Sequence, residues 1–314
     1  MVSVCTYNIL STKLVSPAWN VGVPGYYLAT QHRWDLIRKE LDNKIKQDYI
    51  ICIQELSEEW LSKLLVHFNK YGYTFIYDSG YLGTGIAFPK KYTLENINIL
   101  CVGDELKKSA KPIVRTNNIF TRIYEWFLSF PKKDNWELAM NKKNKYVKVT
   151  LSEEKGKSFD VYTYHMPCAF TNPDLMLIQA CGLLSFINRE AGKNPYILAG
   201  DFNSKPNDEV YNMILKGIAR PVYSKKFSSL PVFNITPLKS ANYEINRREP
   251  NFTCSAWSKT ENKLFRETID YIFYSEGFEV ESVEDIGDRE HEPFPCSTEG
   301  SDHIMISAVL KLTP

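Results

Sequence analysis

The chain has 314 residues, enough for one large domain or two small ones. Lys and Arg total 38 against 37 Asp and Glu, and the net charge of +1 excludes the overall basic surface of proteins that coat nucleic acid. The seven cysteines are scattered and never spaced as CxxC, which favours reduced thiols over a disulfide framework or a zinc site. No segment approaches the roughly 18 apolar residues of a transmembrane helix. We expect a soluble protein without a secretion signal or membrane span, in the cytoplasm or the nucleus.

Short apolar segments bounded by polar, glycine or proline residues predict buried strands along the whole chain. In chain order, these segments are Val2 to Ile9, Tyr49 to Ile53, Gly85 to Phe88, Phe159 to Tyr164, Tyr196 to Ala199, Ile269 to Tyr274 and Ile304 to Leu310.

Helical patterns separate these strands. One helix is predicted by an apolar face that includes Trp34 and Ile37, and a second by Ser57 as an N-cap. Two more helices are predicted from Pro173 through Ile187, ending at Gly192, and from Asp208 to Leu215, before Gly217. Strands and helices mix without regular βαβ units. The pattern therefore predicts an α/β fold, a two-sheet β-sandwich flanked by helices, in one domain spanning residues 1–314.

Residues 104–148 form a basic aromatic insertion. They contain eleven Lys and Arg against five acidic residues, so their local charge of +6 leaves −5 for the rest of the chain. The interleaved aromatic residues include Trp126 and Phe130. Such a segment can hold a single strand through phosphate contacts and base stacking, which makes Lys132 and Lys133 candidate substrate-binding residues. A solvated charged face over core aromatics is the alternative interpretation.

Polar side chains follow several predicted strands at the point where each strand ends: Asn8, Glu55, His165, Asp201 and Asn203. Strand ends project side chains from a rigid scaffold, so several together can form a site. Carboxylate and amide oxygens suit Mg²⁺ or Mn²⁺, whereas zinc favours His and Cys. Taken singly, Asn8 or Asn203 is more often a turn former, and Asp201 with Asn203 could form an Asx turn that closes a strand. The joint occurrence of all five residues favours metal-assisted phosphodiester hydrolysis.

Six short motifs occur in a fixed order along the chain. They are Thr6-Tyr7-Asn8, Gln54-Glu55, His165, Gly200-Asp201-Phe202-Asn203, Ile269-Asp270-Tyr271 and Ser301-Asp302-His303. This set resembles the endonuclease/exonuclease/phosphatase superfamily, which includes deoxyribonuclease I, and the resemblance runs from Val2 to about Leu312. Tyr7-Asn8-Ile9-Leu10 further resembles the branch of carbon-catabolite-repressor-type deadenylases, nocturnin, Angel and 2′-phosphodiesterase proteins. The resemblance implies a deoxyribonuclease I-like fold and a Mg²⁺-dependent enzyme.

The resemblance also implies the role of each acidic and amide residue. Glu55 is expected to be the principal metal ligand, with Asn8 beside it in the metal or phosphate shell. Asp201 is expected to orient and deprotonate the attacking water, and Asn203 to hold that water or the phosphate in line.

The two histidines are expected to contact the phosphate. His303 would bind phosphoryl oxygens with Asp302 fixing its tautomer, and His165 would donate to the transition-state phosphate. Asp270 would complete the hydrogen-bonded cluster. Arg33, on the first predicted helix, is expected to form a structural salt bridge.

The resemblance to the deadenylase branch implies a 3′-exoribonuclease that acts on single-stranded RNA or oligoadenylate and releases 5′-monophosphates. The residues after His165 do not match the register with which deadenylases sandwich an adenine. Phe252 falls near the position where the family offers a base-stacking aromatic residue, and the resemblance makes it the candidate for that role. Two alternatives stay open: a lipid or small-molecule phosphoesterase of the same fold, similar to sphingomyelinases or inositol phosphatases, and a non-catalytic scaffold that binds RNA or protein.

Overall fold

The computed structural model describes residues 1–80, 82–112, 134–153, 156–259, 261–287, 289 and 292–313. Two six-stranded sheets pack face to face, and helices cover their outer faces. The predicted α/β sandwich is confirmed. Lys132 and Lys133 lie outside the described residues, so their role in substrate binding stays a prediction.

Each large sheet combines one parallel strand pair with antiparallel neighbours. The first contains, in spatial order, β15 (Phe278–Val283), β16 (Ile306–Leu312), β1 (Val2–Asn8), β2 (Ile50–Leu56), β4 (Gly83–Phe88) and β3 (Thr74–Tyr77). The second contains β11 (Lys239–Ser240), β14 (Asp270–Tyr274), β9 (Tyr196–Asp201), β8 (Phe159–His165), β7 (Lys145–Glu153) and β5 (Tyr92–Cys101). The parallel pairs are β1 with β2 and β8 with β9.

Two short ribbons lie outside these sheets. They pair β6 (Lys111–Pro112) with β10 (Phe227–Ser229), and β12 (Cys254–Ser258) with β13 (Lys263–Glu267). The second ribbon reaches the functional edge of the sandwich, because Cys254 forms an isolated bridge with His303.

The helices are divided between the two outer faces. The first sheet is covered by α1 (Thr30–Ile45) and α2 (Glu58–Lys70). The second is covered by α3 (Val102–Ser109), α4 (Asn135–Met140), α5 (Pro173–Ala191) and α6 (Glu209–Lys216), and a short α7 (Ala241–Asn246) contacts β14 and β15. None of the described helices is long and apolar enough to cross a lipid bilayer.

The apolar run of β2 has a direct structural cause. Ile50 and Cys52 face the sandwich core, while Ile51 and Ile53 face the helices of the first layer. Successive side chains of a strand point to opposite faces, so a strand covered on both sides is apolar throughout. This covering explains why such strands were predictable from their composition.

The predicted helix boundaries are also confirmed. Ser57 Oγ accepts a hydrogen bond from the Trp60 amide at the start of α2. Gly217 follows α6 in the left-handed conformation, with a φ of 68°, which a residue without Cβ adopts at low cost.

Arg33 binds backbone carbonyls in place of the salt bridge that was expected from the sequence. Its guanidinium is fully buried and donates to the backbone carbonyls of Ile9, Leu10 and Gly300. Ile9 and Leu10 directly follow β1, and Gly300 directly precedes the Ser301-Asp302-His303 motif. Arg33 therefore joins two segments of the site, and it pairs with no acid among the described residues.

Candidate active site

The polar strand ends of both sheets meet at one edge of the sandwich. Asn8 ends β1 and Glu55 lies near the end of the parallel neighbour β2. His165 and Asp201 end the second parallel pair, β8 and β9. Asp270 begins β14 directly opposite Asp201 in the antiparallel register. Because the ends of parallel strands point the same way, one edge collects carboxylate, amide and imidazole groups from both sheets.

Asn8 connects the two sheets at this edge. Its Nδ2 atom lies 3.1 Å from Glu55 Oε1 and 3.0 Å from Asp201 Oδ2, so one amide donates to both carboxylates. Its Oδ1 atom accepts from the Leu10 amide at 3.0 Å. In this arrangement the Asn8 amide links the two carboxylates and holds them in place. The role of Asn8 in the metal or phosphate shell stays a prediction.

Glu55 has an unusual backbone conformation. Its φ is 65°, and the β2–β4 register shifts between Gln54 and Leu56, as expected for a bulge. Its Oε2 atom accepts from the Ser11 amide at 2.8 Å. A non-glycine residue at positive φ costs free energy, and such residues cluster at active sites because the surroundings hold a side chain in a required direction.

Asp201 lies at the centre of the cluster. Its Oδ1 atom accepts from the Asn203 amide at 2.8 Å, a contact that leaves Oδ2 directed at the other functional groups. Asp201 Oδ2 lies 3.4 Å from His165 Nε2 and 3.8 Å from His303 Nε2. The Asn203 Nδ2 atom donates to the Met166 carbonyl at 3.0 Å and lies 3.3 Å from His165 Nε2.

The carboxylate that orients His303 is Asp270, and the expectation that Asp302 fixes its tautomer is wrong. His303 Nδ1 lies 2.8 Å from Asp270 Oδ2, whereas Asp302 Oδ1 lies 3.9 Å from the other ring nitrogen, Nε2. Thr253 Oγ1 donates to the same Asp270 oxygen at 2.6 Å. Asp270 therefore holds the ring so that Nε2 faces Asp201 and the cavity.

The charges in this cavity fit a divalent cation. Among the residues that the structure describes, no Lys or Arg forms an ion pair with Glu55, Asp201 or Asp302. Burial, with the charge of Glu55 adding to it, raises the pKa of Asp302 to about 6 although His303 opposes the rise. A cation bound by carboxylate oxygen would offset this negative potential.

Asp201, Asp270 and His303 also place one potential ligand atom each within 4.8 Å of one another. His303 and Asp270 already hydrogen-bond to each other, and a metal between them would replace that contact. Glu55 lies in the same cavity and accepts hydrogen bonds from Asn8 Nδ2 and the Ser11 amide, with His165 Nε2 4.0 Å away, so it is the better ligand candidate.

The cavity above these groups has a volume of about 420 Å³. One wall carries two aromatic rings from separate segments, Phe170 after β8 and Phe265 on β13, with centroids 5.8 Å apart. Lys142 lines the same cavity. Phe265 was not predicted from the sequence, although its position five residues before Asp270 was a usable signal. The β12–β13 hairpin that carries Phe265 lies beside the site.

Phe252, the predicted stacking residue, does not line this cavity. Only 5% of it is exposed, the Arg266 guanidinium carbon lies 3.6 Å from its ring centroid, and Phe294 packs against it at 6.4 Å. Both contacts occupy the ring in a small buried cluster with Cys296 and Ile304. Phe252 is therefore a packing residue, and the prediction that it stacks on a base is wrong.

A larger apolar cavity, of about 510 Å³, lies beside α4 and α5 and is lined by residues such as Trp136 and Val222. It contains no described carboxylate or histidine, so it lacks the groups that phosphoryl chemistry requires.

Comparisons with curated proteins and solved structures identify relatives of this chain. Carbon catabolite repressor protein 4 homolog 4 of Arabidopsis thaliana is 40% identical over 111 residues, which are 32% of this chain and 24% of that protein. Human nocturnin is 28% identical over 160 residues, 49% of this chain and 33% of that protein. The matched segments thus span only about a quarter to a third of these relatives.

Similarity of fold extends over nearly the whole chain. ANGEL2, a 2′,3′-cyclic phosphatase solved with adenosine-2′,3′-vanadate, superimposes with a TM-score of 0.73 at 19% identity, covering 99% of this chain and 95% of that chain. The human nocturnin catalytic domain with bound sulfate gives a TM-score of 0.65 at 20% identity, covering 99% and 93%. The profile of the Endonuclease/Exonuclease/phosphatase family matches residues 5–303. The chain therefore belongs to the endonuclease/exonuclease/phosphatase family.

Proposed function

We propose that the chain is a Mg²⁺-dependent phosphodiesterase, a 3′-exoribonuclease that shortens single-stranded RNA or oligoadenylate and releases 5′-monophosphates. The observation that carries the proposal is the meeting of Glu55, Asp201 and the His303–Asp270 pair at one sheet edge, with Asn8 joining the carboxylates. Membership of the family and the similarity to a carbon catabolite repressor homolog and nocturnin support it.

We further propose that residues 1–314 form one domain with a basic aromatic insertion at 104–148, because the catalytic groups come from both sheets. Reduced thiols and an RNA substrate fit the cytoplasm, or the nucleus.

Glu55 would hold the cation, with Asn8 beside it in the metal or phosphate shell, and the Asn8 amide links Glu55 to Asp201. When bound, Mg²⁺ supplies Lewis-acid stabilisation of the charge that develops on the phosphoryl oxygens; Mn²⁺ can substitute. The Ser11 amide fixes the second oxygen of Glu55 and thereby limits its rotation.

Asp201 acts as the base for the attacking water. Each oxygen of Asp201 accepts one hydrogen bond, Oδ1 from the Asn203 amide and Oδ2 from Asn8 Nδ2. Oδ2 is the oxygen near His165 and His303, and we assign it the proton of the water. The Asn203 side chain, anchored on the Met166 carbonyl, borders the same space and keeps the water or phosphate in line.

His303 and His165 act on the phosphate. Protonated His303, held at Nδ1 by Asp270, directs Nε2 at the phosphoryl oxygens, and His165 Nε2 approaches from the other sheet. Asp302 lines the cavity beside them and contributes to its negative potential. Donors preorganised toward developing charge are commonly the largest contribution to such catalysis.

The terminal nucleobase stacks on Phe170 and Phe265. A base presents a flat face to either ring, and stacking tolerates any sequence. We therefore expect broad activity on single strands rather than strict adenine specificity. Lys132 and Lys133 in the insertion are proposed to assist substrate capture through phosphate contacts.

The first test combines metal removal with Glu55→Gln. We expect EDTA to abolish hydrolysis, Mg²⁺ or Mn²⁺ to restore it, and the variant to lose at least about 100-fold in kcat, because the charge that holds the cation is removed. Thermal unfolding followed by circular dichroism checks that the variant folds. A phosphodiesterase activity that resists EDTA would contradict the mechanism.

The second test is a substrate panel assayed with Mg²⁺. It contains poly(A), mixed-sequence RNA, 2′,5′-linked oligoadenylate, RNA with a 3′-phosphate or a 2′,3′-cyclic phosphate, sphingomyelin and inositol phosphates. We expect stepwise digestion of RNA with a free 3′ end and none of RNA blocked by a 3′-phosphate. Internal cleavage of blocked RNA, or turnover of the lipid or inositol phosphates alone, would overturn the exonuclease assignment while leaving the metal chemistry in place.

A further inference from the structure

A second cavity, of about 300 Å³, adjoins the catalytic one. The two cavities share Leu14, Glu55 and Asp302 in their linings. A group bound in the second cavity would therefore lie on the other side of the catalytic carboxylates from the Phe170–Phe265 wall. A phosphodiester has a substituent on each side of its phosphorus, and the two cavities provide one compartment for each.

The second cavity is lined mainly by apolar and aromatic side chains from separate segments. Trp19 comes from the connection between β1 and α1, and Trp257 comes from β12. Trp19 is 68% exposed, which is uncommon for a side chain of this size. Large flat apolar surfaces beside a phosphate-binding centre suit a nucleobase, because every base has a π-face.

The charged and polar side chains beside the second cavity also favour a nucleotide. Lys259 Nζ lies 4.6 Å from the centroid of the Trp19 ring, and Asn20 contributes an amide to the lining. A cation and an amide bordering aromatic rings are the groups that bind a nucleotide by its phosphate and its base together. An acyl chain would gain nothing from this cation, so the lining favours a nucleotide over a lipid.

The walls of the cavity are held in position before any ligand binds. The Leu10 carbonyl accepts hydrogen bonds from Arg33 and from Trp60 Nε1, and the following Ser11 amide is fixed on Glu55. Trp257 pairs with Leu264 in the β12–β13 ribbon. Such anchoring lowers the entropy cost of ordering a binding surface.

We propose that this second cavity is the leaving-group subsite, in which the base of the penultimate nucleotide stacks on Trp19 and Trp257. The proposal rests on the proposed exonuclease function. With the terminal nucleoside on Phe170 and Phe265, water forms a new bond to phosphorus and gives its proton to Asp201. The bond from phosphorus to the 3′-oxygen of the penultimate nucleoside breaks, and that oxygen leaves as a hydroxyl after taking a proton from solvent.

The experiment compares Trp19→Ala and Trp257→Ala on two oligonucleotides. One is an ordinary RNA, and the other carries an abasic residue at the penultimate position. We expect each variant to raise KM for the first cleavage of ordinary RNA by about 5- to 150-fold, the range that loss of one stacking contact implies. On the abasic RNA the variants should match the parent chain, because the contact is already missing.

Tyr223→Ala provides the matched control, since Tyr223 is an 84% exposed aromatic residue that lines the remote cavity. It should leave both KM values unchanged. If Trp19→Ala and Trp257→Ala raised KM equally on ordinary and abasic RNA, the cavity would not bind the penultimate base and the proposal would be overturned.

A binding measurement separates this proposal from the proposed function. Diadenosine monophosphate is titrated into Glu55→Gln while tryptophan fluorescence is recorded, with the same titration of Glu55→Gln carrying Trp19→Phe. Quenching that the second substitution reduces supports the subsite, even if no RNA is hydrolysed by the parent chain. Hydrolysis of RNA by the parent chain with no Trp19-dependent quenching would refute the subsite and leave the exonuclease function standing.

Discussion

His303 shows how a single buried ring depends on a partner that is distant in sequence. Burial alone would lower the pKa of His303, but Asp270 at 2.8 Å, with Asp302 adding to it, raises that pKa well above its ordinary value. A raised pKa favours the protonated ring, which can donate from Nε2 to a phosphoryl oxygen. Asp302 is the neighbour in sequence, but its carboxylate lies 3.9 Å from the other ring nitrogen, Nε2, and lines the catalytic cavity.

Asp270→Asn should shift the pH dependence of catalysis. Without the carboxylate, the pKa of His303 falls, so the ring loses its proton at a lower pH. The alkaline limb of the kcat/KM profile should therefore move to lower pH, with a fall of about 10-fold or more in kcat near neutral pH. The measurement is a pH–rate profile on RNA. A profile whose alkaline limb coincides with that of the parent chain would show that His303 does not act as the cation.

At the scale of residues, the sequence predicted the acids and amides that meet, because each follows an apolar strand or stands in a recognisable motif. It failed where a role depends on pairing between distant segments. Phe252 is only two residues from Cys254, which does reach the site, yet its ring turns into a buried cluster. Phe265 enters the catalytic cavity because the β12–β13 hairpin folds back over the site.

Helix α1 illustrates how an element can organise a site without contributing a catalytic group. Arg33 lies one turn inside α1 and its guanidinium binds three carbonyls from the segments that carry Asn8 and Asp302. Burial lowers the pKa of Arg33 to about 10, which keeps it charged at neutral pH. A planar fork of five donors can span such a set of carbonyls, whereas a lysine ammonium cannot.

Arg33→Lys should therefore cost both stability and activity. We expect a loss of about 2–4 kcal/mol in the free energy of unfolding, since hydrogen bonds from a charged donor are removed in a buried place. The kcat value should fall as well, because the Leu10–Ser11 segment that fixes Glu55 loses its anchor. Urea unfolding and steady-state kinetics measure the two effects.

Arg38→Lys on the same helix is the control. Arg38 is half exposed and its carboxylate contacts with Asp35 and Asp42 are long, at 3.8 and 3.9 Å. A change within about 0.5 kcal/mol is expected there. Equal losses at Arg33 and Arg38 would contradict the anchoring role.

Strands and helices were predictable where the residue types match the burial that the fold gives them, as in β2 and α2. Strand β7 was not, because Lys148 interrupts its apolar run. In the structure Lys148 is buried 3.2 Å from Asp160 of the neighbouring strand, and a charge is tolerated in a sheet only when such a partner exists. Strand β5 was also not predicted. Much of β5 is exposed, so its sequence is polar and lacks an apolar run.

At the scale of the whole molecule, the two-sheet architecture could be predicted because the motifs in fixed order imply it. The distribution of charge could be counted from the sequence, but its use could not. Two described lysines of the insertion pair with acids outside it, Lys145 with Asp78 and Lys148 with Asp160. Lys108 and Lys143 pair with Glu105 and Asp104, which are already counted in the local charge. The local charge of +6 is therefore partly neutralised, and the remaining attraction for phosphate depends on which lysines face the cavity.

Lys142 is the described lysine of the insertion that lines the catalytic cavity, and its neighbour Lys143 points to Asp104, 2.6 Å away. Lys142→Ser should raise KM for an oligonucleotide by about 3- to 10-fold at low salt and reduce the slope of log KM against log salt by about one, because one phosphate contact and its counterion release are lost. Lys143→Ser removes the same charge from the sequence but not from the cavity, so its KM and salt slope should stay near those of the parent chain. The measurement is steady-state kinetics across a salt series. Equal effects at both positions would mean that the insertion attracts RNA through its overall charge. An effect confined to Lys142 would place the contact inside the site, where a phosphate next to Asp201 and Glu55 needs a nearby cation to offset their repulsion.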